Sequence, residues 1–298
     1  MTAMSAAEKH AARCALTGLD GKVALVTGGG AGIGRGVAEA FALLGASVVV
    51  AEIDAGHAAA VRASLADFGG DHLVIEADVT VKADVDRVVE AARARFGRLD
   101  VLVNNVGHFL APKTDFADTD EASWDALYRI NLHHVFLVTR ASIPLMTASG
   151  QGGSIINIST IEALRGIPGM TAYSTFKAAL GGFTRSLALE LGPKGIRVNA
   201  IAPETTESEQ VRALAAVPPE HHDQIPLWFP IGRFGQPSDT AGCAVFLATE
   251  LSAWVTGTTI SVDGGALAAG GYYRMAAGNW THTPVISHPG SMGQKPKG

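Results

Sequence analysis

The stretch "VALVTGGGAGIGRGVAEAFALLGASVVVAE" at 23–52 constrains this chain more than any other. A short β-branched run leads into a glycine-rich turn, then an Ala-rich segment of helical period, then a second β-branched run. That order is strand, turn, helix, strand, and two strands so joined lie parallel with a right-handed crossover. The pattern recurs. "HLVIEA" (72–77), "LDVLVNN" (99–105), "GSIINIS" (153–159), "IRVNAIAP" (196–203) and "GTTISVDGG" (257–265) read as five further strands. "AAAVRASLADF", "VDRVVEAARARF", "AYSTFKAALGGFTRSLALEL" and "SDTAGCAVFLAT" read as helices between them, and a long helix is expected from about Ser123 to Met146 with Ser123 as N-cap. The strands are apolar on both faces, so helices must cover the sheet on both sides. The expected fold is an α/β, doubly wound, parallel seven-stranded sheet in a single domain over 19–267, with an N-terminal extension (1–18) and a C-terminal tail (268–298).

The remaining chain excludes several function classes. The net charge is −5 with no clustered Lys/Arg stripe, which argues against nucleic acid as a partner. The longest apolar stretch, "FALLGASVVVAEI", is too short to span a bilayer. The first residues are broken by Glu8, Lys9, His10 and Arg13 and carry no apolar run of a secretory signal. Cys14 and Cys243 are far apart, and a reduced, cytoplasmic protein is the simpler expectation. His133 and His134 have no Cys or acidic partner at ligand spacing, so no metal site is expected.

Sheets of this kind bind ligands beyond the carboxyl ends of their strands. The turn at 27–36 leaves Gly28, Gly32 and Gly34 room for backbone to approach a pyrophosphate, and the helix behind it offers free N–H groups. Glu52 ends the second strand about 20 residues on, where a carboxylate can accept from ribose hydroxyls and repel a 2′-phosphate. NAD is therefore the expected cofactor rather than NADP. Tyr173 and Lys177 are four apart on an expected helix and share one face, where an ammonium can lower a phenol's pKa from about 10. On spacing alone they can equally be an uncoupled surface pair.

The ordered motifs decide between these. Thr27–Gly34 (TG-x3-G-x-G), Asp78–Val79, "NNVG" at 104–107, Asn131 in "RINLHHVF", Tyr173-x3-Lys177, "RVNAIAP" at 197–203 and "SVDGG" at 261–265 resemble the short-chain dehydrogenase/reductase family over roughly 19–267. The resemblance implies a Rossmann fold and a homotetramer. It makes Tyr173 the general acid/base and gives Lys177 the nicotinamide ribose and the tyrosine pKa. It gives Asn131 a water in a proton relay. It further places Gly28, Gly32, Ile33, Gly34, Glu52, Asp78, Val79, Asn105, Val106, Gly107, Pro203 and Thr206 against the cofactor.

The chain departs from the family where an auxiliary serine is usual, thirteen residues before the tyrosine. Thr160 stands there, with the same donor and acceptor hydroxyl. The alternative is Ser159 with a one-residue shift in the loop. Glu162 and Glu204 replace small residues near the same pocket, where each can bind a polar substrate group or hold a loop. Glu162, His108, Trp228 and Thr160 are the expected substrate contacts, with Phe109 and Phe229 beside them. Tyr272, Tyr273 and Trp280 in the tail suggest docking on the body or on a neighbouring subunit. The expected activity is NAD-dependent interconversion of a secondary alcohol and a ketone on an apolar or cyclic, terpenoid- or steroid-like substrate. Alternatives are a 3-ketoacyl thioester reductase and, in another class, a non-catalytic NAD-binding regulatory protein.

Overall fold

The computed structural model describes residues 16–110, 113–270, 273–274 and 280–281. Cys14, Tyr272 and most of both terminal extensions lie outside the described residues. In the tail, Tyr273–Arg274 pairs antiparallel with Trp280–Thr281.

In chain order the main elements are β1 (Val23–Thr27), α1 (Gly32–Leu43), β2 (Ser47–Glu52), α2 (Ala55–Asp67), β3 (Leu73–Glu76), α3 (Lys82–Phe96) and β4 (Val101–Asn104). They continue with α4 (Glu121–Tyr128), α5 (His134–Thr147), β5 (Gly153–Ile158), α6 (Thr171–Leu191), β6 (Ile196–Pro203), α7 (Pro237–Ala248) and β7 (Thr259–Val262). The seven strands form one parallel sheet in the order β3-β2-β1-β4-β5-β6-β7. The order reverses between β1 and β4, and the ligand crevice of such a sheet opens at that reversal.

Period-two alternation sends neighbouring strand residues to opposite layers. Val23 and Leu25 pack with α3, α5 and α6 through Val88, Val138 and Leu187. Ala24 and Val26 pack with α1, α2 and α7 through Phe41, Val61 and Leu247. A buried polar chain crosses this apolar interior. Asn104 Nδ2 donates to Thr139 Oγ1 (3.0 Å) and to Asn157 Oδ1 (2.9 Å), and Asn157 Nδ2 donates to Thr184 Oγ1 (3.0 Å). Asn104 and Asn157 are register partners on β4 and β5. The chain therefore ties both central strands to α5 and α6, the helix that carries Tyr173 and Lys177. Buried hydrogen-bond chains of this kind hold elements in one arrangement, although Asn104 Oδ1 itself has no partner among the described residues.

The expected long helix is corrected in two respects. It starts at Glu121, capped by Asp120, whose carboxylate accepts the N–H of Ser123 (2.8 Å). Ser123 is thus the third residue of the first turn and not the cap. The helix is also interrupted by a π-turn at Arg129–His133 before α5 begins.

Candidate active site

One cleft of about 740 Å³ runs along the carboxyl ends of β1, β2, β4, β5 and β6. Its first end is built mostly from backbone. The first residue pair of α1, Gly32 and Ile33, lines the cleft, and no side chain caps that helix. Uncapped N–H groups at a helix start form an anion site. Gly34 does not line the cleft. A Cβ there would lie 2.1 Å from the carbonyl oxygen of Gly28 and 2.5 Å from Asn105 Nδ2, so this glycine lets α1 close on the turn. Asn105 Nδ2 donates to the carbonyls of Thr27 (3.0 Å) and Gly28 (3.1 Å), which locks the β4 loop against the same turn.

Glu52 is buried at the cleft wall. Its carboxylate accepts the N–H groups of Gly30 (2.9 Å), Ile53 (3.0 Å) and Asp54 (3.1 Å). Asp78 Oδ1 accepts from Thr80 N (2.8 Å), and Asp78 and Val79 line the cleft beside Glu52. Across the opening, Glu209 meets His57 at 2.6 Å, so the loop after β6 reaches the start of α2. The residues of this end fit a pyrophosphate and an adenosine ribose: an uncapped helix start for the anion, an acceptor carboxylate for hydroxyls.

The other end is built from side chains. The π-turn places Asn131 wholly inside, where Nδ2 donates to the carbonyls of His108 (2.8 Å) and Leu127 (3.0 Å) and Oδ1 accepts from His108 N (3.1 Å). A π-turn frees a helix carbonyl, and Asn131 satisfies it from its own side chain. Asn131 does not itself line the cleft. It staples the loop after β4 beneath Lys177. A Cβ on Gly107 would lie 2.5 Å from Lys177 Nζ and 3.1 Å from Asn131 Oδ1, so a side chain here would displace the ammonium from this position. Lys177 Nζ donates to Ile158 O (3.1 Å), and burial pulls its ammonium down to about 8.

Ser159 and Thr160 both border the cleft, but their hydroxyls have different destinations. Ser159 Oγ donates to Lys177 O at 3.1 Å, back into α6. Thr160 Oγ1 accepts the N–H of Glu162 (3.3 Å) and lies within hydrogen-bonding reach of the Tyr173 phenol. The Tyr173 phenol is shifted upward, first by burial and next by the charge of Glu162. The Thr160 hydrogen bond opposes this, and Glu204 adds to it. That corrects the expectation for this pair. Lys177 is not among the groups that move Tyr173 in the protein alone. Its ammonium is turned to Ile158 and Gly107.

Glu162 and Glu204 meet at one guanidinium. Arg165 Nη2 lies 3.0 Å from Glu162 Oε1 and 2.5 Å from Glu204 Oε2, with all three side chains at least nine-tenths buried. Register explains the meeting. Ile158 pairs with Ile201, so the loops leaving β5 and β6 run side by side. Glu204 Oε1 accepts from Thr205 Oγ1 (2.7 Å), and burial raises the Glu204 carboxyl above its ordinary value against the opposing Arg165 charge. Sequence reasoning missed Arg165, although an acid and a base three apart in "IEALR" mark a local pair. It also missed Lys113, which faces the cleft near Glu162, and the His57–Glu209 contact.

The cleft brings together Gly28, Gly32, Ile33, Glu52, Asp78, Val79, Asn105, Val106, Gly107, His108, Thr160, Glu162, Tyr173, Lys177, Pro203 and Thr206. His108 Nδ1 accepts the Leu110 N–H (2.7 Å), and burial lowers this imidazole's pKa. Trp228 is not brought to the cleft. It stacks on Phe229 (4.9 Å, 14°) in a small core with Ile161, Phe234 and Ala266. Among the described residues, no group of three or more His, Cys, Asp or Glu could hold a metal ion, and no helix is long and apolar enough to cross a membrane.

This fold and this cleft place the chain in the short-chain dehydrogenase/reductase family. A family model described as "Enoyl-(Acyl carrier protein) reductase" matches residues 28–266. A 3-oxoacyl-[acyl-carrier-protein] reductase of Synechocystis sp. is 38% identical over 252 residues, covering 84% of this chain and 98% of that protein. A 7alpha-hydroxysteroid dehydrogenase of Escherichia coli (strain K12) is 36% identical over 249 residues, covering 84% and 95%. A solved structure of 7alpha-hydroxysteroid dehydrogenase, complexed with NADH and 7-oxo glycochenodeoxycholic acid, superposes with TM-score 0.77 at 36% identity, over 84% of this chain and 95% of that one. The chain is an oxidoreductase of this family.

Proposed function

We propose that the chain interconverts a secondary alcohol and a ketone with NAD, and that Tyr173 exchanges the hydroxyl proton. The observation that carries this reading is the shared cleft: Thr160, Tyr173 and Lys177 at one end, the uncapped α1 start and Glu52 at the other. A bound nicotinamide supplies the hydride acceptor or donor. Thr160 Oγ1 accepts a backbone N–H and lies within reach of the Tyr173 phenol, and its hydroxyl proton turns to the substrate oxygen when substrate is bound. Tyr173 gives its proton to that oxygen in reduction and takes one from it in oxidation. In this reading Lys177, which lines the cleft, holds ribose hydroxyls, and Asn131 fixes the loop beside it.

Glu52 supports NAD over NADP. The Lys and Arg residues of the described lining are Lys113 and Lys177, which belong to the reaction end, while Glu52, Asp54 and Glu209 border the other. A 2′-phosphate there would meet carboxylates. Phe109, Ile167 and Met170 support an apolar portion of the substrate, whereas Trp228 no longer does. The 38% identity to a 3-oxoacyl-[acyl-carrier-protein] reductase favours a second reading, reduction of a 3-ketoacyl thioester by the same residues. We also propose a homotetramer, supported by the exposed Trp254, Leu189 and Phe136, which sedimentation would test.

The test is kcat/KM for a panel of secondary alcohols with NAD and with NADP, and for a 3-ketoacyl thioester with NADH and NADPH. The reading expects alcohol oxidation with NAD favoured about 100-fold, equivalent to ~2.7 kcal/mol. Equal use of NADP would reject the cofactor assignment. Turnover confined to the thioester would establish the second reading instead.

A further inference from the structure

Two carboxylates, not one, converge on Arg165, and both line the cleft beside Tyr173 while the guanidinium itself does not. If the cluster served only to tie the loops after β5 and β6, one carboxylate would satisfy that purpose at lower desolvation cost. Here both acids border the cleft although their oxygens already accept from Arg165 and Thr205. Glu162 is also coupled to the reacting end directly, because its backbone N–H donates to Thr160 Oγ1. Lys113, from the loop after β4, also lines the cleft and is close enough to feel the charge of Glu162.

We propose that Glu162 and Glu204, held by Arg165, form a subsite for a hydrogen-bond donor on the carbon next to the reacting carbinol. An ionised carboxylate only accepts, and it has room for several donors at once. A substrate hydroxyl or protonated amine supplies a donor. A methylene supplies none and leaves the acceptors desolvated, and sites built for a hydroxyl discriminate strongly against its absence. The inference deepens the alcohol–ketone reading and rests on it. It makes the favoured substrate a vicinal diol, polyol or amino alcohol with an apolar remainder, and it sets the enzyme against simple apolar alcohols.

The experiment uses the full chain with saturating NADH and matched cyclic probes: cyclohexanol, the vicinal cyclohexanediols and vicinal aminocyclohexanol. Calorimetry measures their binding to the enzyme–NADH complex, and NADH formation in a parallel assay with NAD measures turnover. The proposal expects the diol or the amino alcohol to exceed cyclohexanol at least about 30-fold in affinity or in kcat/KM. Which of the two leads identifies the donor. In Glu204→Gln and in Glu162→Gln that ratio, read at one pH for all probes, collapses toward unity. Cyclohexanol equal to or better than both donors overturns the proposal. So does a Gln variant that loses all probes in proportion, which marks a loop tie only. If one variant does not fold, the other and the wild-type ratio still decide. If no probe is oxidised but the binding ratio holds, the alcohol–ketone reading fails and the subsite stands.

Discussion

The two ends of the cleft are made of different material. At the adenosine end the contacts available to a ligand come from the chain itself: the turn at Gly28–Gly32, the start of α1, and one carboxylate already tied to three backbone N–H groups. At the reaction end they come from side chains on four separate segments, ending β4 and β5 and starting α6 and the loop after β6. Backbone geometry is set by the path of the chain and is indifferent to most single substitutions. Side-chain geometry stands on individual atoms. The reaction end is therefore where single changes should act.

Thr160→Val should sharpen that contrast most. It keeps the shape and removes the hydroxyl that the proposed reaction turns to developing charge, which should cost ~2–4 kcal/mol in the barrier. Turnover should fall by about 100-fold or more, while Thr160→Ser stays active. Ser159→Ala should cost about 1 kcal/mol of stability through the lost bond to Lys177 O, with little loss of turnover. A crippled Ser159→Ala beside a working Thr160→Val would reverse the assignment.

At the other end, Glu52→Gln should act on selection rather than on rate. One amide oxygen remains to accept backbone N–H groups, but the repulsive charge is gone. The NAD/NADP ratio of kcat/KM should narrow about tenfold, ~1.4 kcal/mol, with kcat for NAD nearly kept. A fall in kcat with an unchanged ratio would mean that Glu52 only braces the turn.

The pH dependence follows from the directions at the reaction end. Glu162 and Glu204 raise the Tyr173 phenol, after burial, so oxidation, which needs the phenolate, should gain with rising pH. Neutralising Glu204 lowers that phenol, so the rising limb of kcat/KM for oxidation in Glu204→Gln should move to lower pH. An unmoved limb would mean that the carboxylate does not reach the phenol.

A separate effect is on stability. Burial lowers the Lys177 ammonium to about 8 from an ordinary 10.5, so a charged lysine here destabilises the fold below that value. Between pH 8 and 10.5 the folded protein has lost this proton and the unfolded chain keeps it, so wild-type stability gains there. Lys177→Met should be inactive yet no less stable at neutral pH, by up to about 3 kcal/mol in its favour. Its advantage should shrink as pH rises through that window. A Met variant markedly less stable at pH 7 would show that the bond to Ile158 O outweighs the burial of the charge.

The backbone-built end was the more legible in sequence, and for the same physical reason. Strands covered on both faces are apolar runs, and a turn that receives an anion needs glycines in fixed order, so β1, α1, β2 and Glu52 were readable locally. The π-turn was not, because one extra residue in a helix leaves no periodic mark over so short a span. Asp120 and Ser123 both suit a cap, and only the hydrogen bond between them shows which one caps. Trp228 is an apolar side chain near an active loop, and polarity alone cannot tell a cleft wall from a small core behind it. Glu162 and Arg165 were legible as a local pair. Their meeting with Glu204, 39 residues from Arg165, depends on β5 and β6 lying side by side.

The account turns on Tyr173 as the group that exchanges the substrate proton, at an end of the cleft separable from the end that binds cofactor. Tyr173→Phe removes one oxygen and keeps the ring. Its NADH affinity, read by fluorescence titration, should equal that of the wild type within about twofold, and its turnover of any alcohol that the wild type oxidises should fall by about 1,000-fold. Turnover within about tenfold of wild type, or loss of NADH binding in step with loss of turnover, would contradict the account.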